Sequence, residues 1–244
     1  MTKTTRAKSI IREAGWLLGL PATGLALSSR FGLGETAADV ALLVLTFAAG
    51  FVAPVQSPRK FEPYFWQGGL SRLLSPALGG WLTVIVLGGQ LELVHGLWFL
   101  ALTFGWYGVS SLFVFAKALS GFRVAIVGTL NVLLCSTPFW SNGVLQSLGN
   151  ESRATATQWL VWINPVLTAA EGFSGVNLLE APLMYMQHLS LLSDYSGRVA
   201  PAIPGEYMGA STGIGFLSLT AFLFIGRQRR RGPAAGVSAS AAVS

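Results

Sequence analysis

Six stretches of the chain are apolar at nearly every position, and most of the polar residues gather between them. They cover about residues 14–30, 37–56, 73–91, 97–116, 124–143 and 208–226. A hydrocarbon core about 30 Å thick takes about 20 helical residues to cross, fewer when flanking side chains snorkel, and each stretch meets or nearly meets that length. The pattern therefore predicts an all-α polytopic membrane protein with six transmembrane helices. The first stretch is the weakest, because Pro21 interrupts it and its small residues make it only moderately apolar. A cleaved signal peptide is an alternative reading of residues 14–30.

Charge then orients the pattern. Lys3, Arg6, Lys8 and Arg12 precede the first stretch, and Arg59, Lys60 and Arg72 separate the second from the third. Lys117 and Arg123 separate the fourth from the fifth, and Arg227, Arg229, Arg230 and Arg231 follow the last. Thirteen of the 16 Lys and Arg thus fall at alternate ends of the apolar stretches, which predicts a multi-pass protein of the plasma (inner) membrane with both termini cytoplasmic. Composition agrees: 52% hydrophobic and 11% charged residues leave too little polar material to clothe a soluble globule. The net charge of +6 is spread over separate loops beside apolar spans, so anionic lipid and the orientation rule account for it without nucleic acid.

A seventh apolar stretch, Trp159 to Ala170, contains Asn164-Pro165. If it crossed the bilayer, the Arg227–Arg231 cluster would lie outside, against the orientation rule. Pro165 lacks a backbone donor and biases Asn164 away from helical geometry, so two short helical pieces are expected, broken at Asn164 and Pro165. Broken backbone at membrane depth is tolerated only against protein or a watery cavity, which points to a re-entrant or interface-lying hairpin on the outer side. The alternative is an ordinary crossing helix kinked at the proline.

The remaining segments sort by composition. Residues 3–13 place Ala7, Ile10 and Ile11 at helical spacing with basic residues elsewhere, reading as an amphipathic surface helix or a basic flank of the first span. Ser57 to Arg72 is long for a turn and rich in aromatic residues, suited to headgroup anchoring or to docking a soluble partner. Residues 144–207 read as an outer cap containing the re-entrant segment, and residues 1–226 as a single transmembrane domain. Residues 227–244 form a cytoplasmic tail that is basic and then, from Gly232 onward, low-complexity and expected to be disordered.

Catalytic constellations are scarce. The chain has no Gly-rich phosphate loop ending in Gly-Lys-Ser/Thr, so it is not itself a P-loop ATPase. His95 and His188 have no metal-binding neighbour at the usual spacing, and Cys135 stands alone, so no metal and no disulfide is expected. Glu92 and His95 share a helix face as a proton-relay pair or belong to a solvated loop. Asn131, a polar residue within the fifth stretch, is read either as an interhelical hydrogen bond or as a cavity-lining group.

In order along the chain, these features resemble the membrane subunit of type-2 ABC exporters. They comprise the amphipathic segment before the first span, the basic loop from Ser57 to Arg72, four closely spaced further spans, the Asn164-Pro165 break, and a last span ending in Arg227-Gln228-Arg229-Arg230-Arg231. The resemblance implies a permease that forms a translocation path as a homo- or heterodimer with a second permease subunit. A separate ABC ATPase subunit would hydrolyse ATP, and the permease would need no cofactor. It also implies that Arg59, Lys60, Phe61, Glu62, Tyr64, Phe65 and Trp66 dock that ATPase. The loop departs from the family pattern in lacking an Arg-Glu-Arg-Glu run and in containing Pro58, Pro63, Gly68 and Gly69. A non-transporting scaffold or accessory subunit of a larger membrane complex is the second reading, and an intramembrane enzyme using Glu92, His95 or His188 the third.

Overall fold

A computed structural model describes residues 11, 13–57, 66–89, 92–114, 120–180, 192 and 200–231. Among these residues the chain is all-helical, without strands. Six of the seven expected docking residues, Arg59, Lys60, Phe61, Glu62, Tyr64 and Phe65, lie outside the described residues. So do residues 3–10 and 12 of the expected surface helix, His188, and residues 232–244 of the tail.

A π-helical turn, Gly15–Gly19, leads into α1 (Leu20–Phe31). Pro21 falls just after the π-helical turn, at the start of α1, and the helical run continues through it. Then follow α2 (Ala37–Gln56), α3 (Trp66–Val86), α4 (Leu93–Leu112) and α5 (Ser120–Cys135). Next come α6 (Thr137–Ser147), α7 (Asn150–Trp162), α8 (Pro165–Ser174) and α9 (Pro204–Arg231).

Among the described residues three helices are long and apolar enough to cross a bilayer: α2, α4, and Pro204–Gln228 of α9, with mean hydropathy 2.0, 1.2 and 1.7. Ser71–Val86 of α3 is a shorter apolar helix. The stretch expected to span over about 124–143 is bent: α5 ends at Cys135, Ser136 turns, and α6 leaves at 71°, the pair together being apolar enough for one broken span. Pro138 is the physical reason, since it has no N–H for the carbonyl four residues earlier and its ring crowds the preceding turn. Length and hydropathy alone, which defined that stretch, are blind to this. A second difference lies at α3, which starts at Trp66 and so includes residues 66–72 of the expected loop. Helix bounds follow backbone hydrogen bonds and not hydropathy, and Ser71 on this extension donates to Glu13 Oε1 at 3.0 Å.

The core lies between α2, α3 and α4, with α8 closing one end. Leu42, Ala49, Ala77, Val84, Trp98, Phe99, Leu102 and Ala169 form its buried cluster. Trp98 is fully buried, and its indole N–H donates to Thr46 Oγ1 at 2.9 Å, so α2 and α4 share a polar bond within the apolar layer. The most extensive helix pairing joins α4 to α9. Glycines permit it: a Cβ on Gly108 would stand 2.7 Å from the Gly215 carbonyl oxygen, and Ser211 Oγ donates to the Ala101 carbonyl at 2.9 Å. Small residues at the crossing are how helices associate where lipid removes the hydrophobic drive between them.

Candidate functional site: two adjoining helix breaks

A helix that breaks inside a bundle exposes carbonyls at one end and amides at the next, and each costs free energy unless partnered. Here two breaks lie side by side, and side chains from each close the other. At the first, Ser136 N–H reaches the Val132 carbonyl at 2.9 Å and Ser136 Oγ donates to the same oxygen. The Leu133 carbonyl accepts from Trp140 Nε1 at 2.7 Å, and the Cys135 carbonyl accepts from Asn164 Nδ2 at 3.0 Å.

The second break separates α7 from α8. Asn164 is extended (φ −86°, ψ 109°) and caps α8, its Oδ1 accepting from Val166 N–H at 2.9 Å and Leu167 N–H at 3.1 Å. Pro165 follows at the first helical position, where no donor is missed. Asn164 Nδ2 also donates to Thr137 Oγ1 at 2.9 Å, and that hydroxyl in turn donates to the Leu160 carbonyl at 3.2 Å. Tyr207 of α9 donates to the Ile163 carbonyl at 3.1 Å. Asn164 is therefore fully buried with two acceptor bonds and two donor bonds satisfied, joining α5, α6 and α8.

Asn131 lies one turn before the first break. It is fully buried, its Nδ2 donates to the Phe47 carbonyl of α2 at 2.6 Å, and its amide packs against the bare Cα of Gly50. Cys135 Sγ is 3.8 Å from Asn131 Oδ1. This is an interhelical bond, and Asn131 is absent from the lining of the groove described below.

At the other end of these helices lies a polar node that sequence reasoning missed. Ser57, the C-cap of α2, donates to the Pro54 carbonyl at 2.8 Å, leaving its oxygen to accept from Ser110 Oγ at 2.9 Å and Arg123 Nη1 at 3.3 Å. Arg123, counted above only as a basic flank, is buried against α2 and α4. The node sits at the roots of residues 58–65 and 115–119. Trp66, the last expected docking residue, begins the helix that follows the first of these segments.

The Glu92–His95 pair is 3.9 Å apart, wider than a hydrogen bond, and His95 Nδ1 is buried without a hydrogen-bond partner. The imidazole instead meets Phe173 of α8 edge-on at 4.9 Å. Among the described residues no group of three or more His, Cys, Asp or Glu is placed to hold a metal ion. A groove of about 560 Å³ lies between α3, α4 and α9, lined by Leu73, Leu100, Phe104, Met208 and Phe216, with Thr212 among its few polar groups. No family model, curated protein or solved structure matches the chain.

Proposed function

We propose that the chain is the permease subunit of an ATP-driven exporter of the type-2 ABC kind, spanning the plasma membrane six times with both ends in the cytoplasm. In this reading it works as a homo- or heterodimer with a second permease subunit. A separate ATPase subunit docks on Arg59, Lys60, Phe61, Glu62, Tyr64, Phe65 and Trp66. The observation that carries the reading is the paired break at Ser136 and Asn164: helices bent within an apolar bundle, with the Leu133, Cys135, Leu160 and Ile163 carbonyls and the Val166 and Leu167 amides each given a side-chain partner. Irregular backbone of this kind is costly in a membrane and is a recurrent feature of transporters. The node of Ser57, Ser110 and Arg123 supports it, because movement of the docking loop would reach α2, α4 and α5 through one buried contact. ATP-driven closure of the partner subunits would favour one arrangement of the bundle by docking more tightly to it.

The test is co-purification from mild detergent followed by ATPase assay. An ATPase with a Walker-type phosphate loop at comparable stoichiometry is expected, its activity stimulated by the permease. The double substitution Trp66→Ala with Arg59→Glu should abolish stimulation while leaving insertion intact, and unchanged stimulation removes the docking role.

One observation favours a non-transporting scaffold or accessory subunit. Asn131 and Asn164 direct their polarity to other helices, not to a water-filled path, and the groove between α3, α4 and α9 is lined mainly by apolar side chains. Co-purification with redox or secretion subunits and no ATPase decides for the scaffold.

A further inference from the structure

The hairpin of α6 and α7 is built inside out with respect to water. On α6 the stripe turned inward carries small polar side chains, Thr137 and Ser141, followed by Leu145, all fully buried. The stripe turned outward carries Phe139, Trp140 and Val144, which are 62%, 40% and 47% exposed, and between them Gly143 faces open space. Ser141 Oγ and Thr157 Oγ1 are buried without a hydrogen-bond partner. A helix folded for water reverses this arrangement, burying its large apolar residues and solvating its hydroxyls. Small residues between helices with large apolar ones outside is the membrane pattern.

The exposed face of α7 is the opposite in character. Asn150, Glu151, Ser152, Thr155 and Gln158 are exposed along it, with Trp159 at its end. The two helices are one unit, because Arg153 of α7 donates to the Leu145 carbonyl at 2.8 Å and the Leu148 carbonyl at 3.1 Å, closing the end of α6. The apolar face of α6 also continues a surface already apolar on α5, where Leu130, Val132 and Leu133 are exposed up to the bend. Trp140 bridges the two, its ring outward and its N–H returned to the Leu133 carbonyl.

We propose that the hairpin lies flat in the bilayer interface, with α6 sunk among lipid acyl chains and α7 facing water. Lipid is the occupant because exposed apolar side chains stand on both sides of the 71° bend, Leu130, Val132 and Leu133 before it and Phe139, Trp140 and Val144 after it, and the bent pair is apolar by composition. Trp140 then stands with Phe139 and Val144 among the acyl chains, and Trp159 at headgroup level, where an apolar ring with a polar edge is most stable. This inference rests on membrane embedding of the bundle and not on coupling to an ATPase.

The experiment is spin-label accessibility in liposomes of phosphatidylcholine and phosphatidylglycerol. Cys135→Ser removes the one native thiol, and labels are placed singly at Val144→Cys on α6, Gln158→Cys on α7 and Val44→Cys on the exposed face of α2. Expected is an oxygen-to-nickel accessibility ratio at 144 within about twofold of that at 44 and about fivefold or more above that at 158. High nickel accessibility at 144 equal to that at 158 overturns the proposal, as does protection of 144 from both probes, which indicates cover by a second copy or another protein. A label at 44 that is accessible to nickel sinks the membrane-span reading itself, separately from the hairpin. If the cysteine-free chain does not fold, acyl-chain bromine quenching of tryptophan emission is compared between the native chain and Trp140→Phe. Less quenchable emission in the variant is expected, and an unchanged quenchable fraction counts against the proposal.

Discussion

Asn164 donates its side-chain amide to the Cys135 carbonyl at 3.0 Å, so the residue that ends one helix break satisfies the backbone exposed by another 29 positions earlier. The same side chain caps α8 through its oxygen. One amide thus holds α5, α6 and α8 in register, and neither break is satisfied without the other.

Replacing Asn164 by Ala removes the cap and strands the Cys135 carbonyl and two amides in a buried place. The expected loss is about 2–4 kcal/mol of stability, combining a lost N-cap with buried unsatisfied groups. Asn164→Asp keeps the acceptor but loses the donor, and should fall between the native chain and Ala. Thermal unfolding in detergent reads both, and an Ala variant indistinguishable from the native chain refutes the clamp.

Gly50 and Asn131 form a coupled pair across α2 and α5, since a methyl group on Gly50 would overlap the Asn131 amide. Gly50→Ala alone should destabilise, and so should Asn131→Ala, which abandons the Phe47 carbonyl. The double variant should recover about 0.5–3 kcal/mol relative to the sum of the two, because the smaller side chain admits the methyl group. Additive effects in a double-mutant cycle would show that the two do not touch.

The α4–α9 crossing should tolerate no side chain at Gly108, because the obstacle there is the Gly215 backbone and not a movable group. Gly108→Ala should cost about 1–3 kcal/mol through forced separation of the helices. Gly143→Ala, with open space beyond it, is the control and should be neutral or slightly stabilising. Unfolding curves for the two variants that superimpose would count against close packing at the crossing.

Ser110→Ala removes one bond from the Ser57 node and leaves the Ser57–Pro54 bond in place, so a loss of about 0.5–1.5 kcal/mol is expected. Arg123→Leu should lower partner-stimulated ATPase activity more than it lowers thermal stability, if loop movement passes through this node. Full stimulation in Arg123→Leu argues that the node is merely structural.

How much of this was legible in the sequence differs from residue to residue. Helical class followed from apolar run length, because the thickness of hydrocarbon sets a length that strands and loops cannot satisfy unaided. The position of the Asn164-Pro165 dipeptide was legible too, since its conformational bias is local. Pro138 carries an equally local signal at the first break, one that hydropathy does not register because it scores polarity and not backbone geometry.

What only the tertiary structure decided is non-local. Nothing in the spacing of Cys135, Thr137 and Asn164 announces that the two breaks meet, because a hydrogen bond across 29 residues depends on how the helices pack. Arg123 reads as a flanking charge in sequence and becomes a buried donor once α2 and α4 cover it. The outward face of α6 is likewise set by packing, since composition says which residues are apolar but not which side of a helix its neighbours occupy.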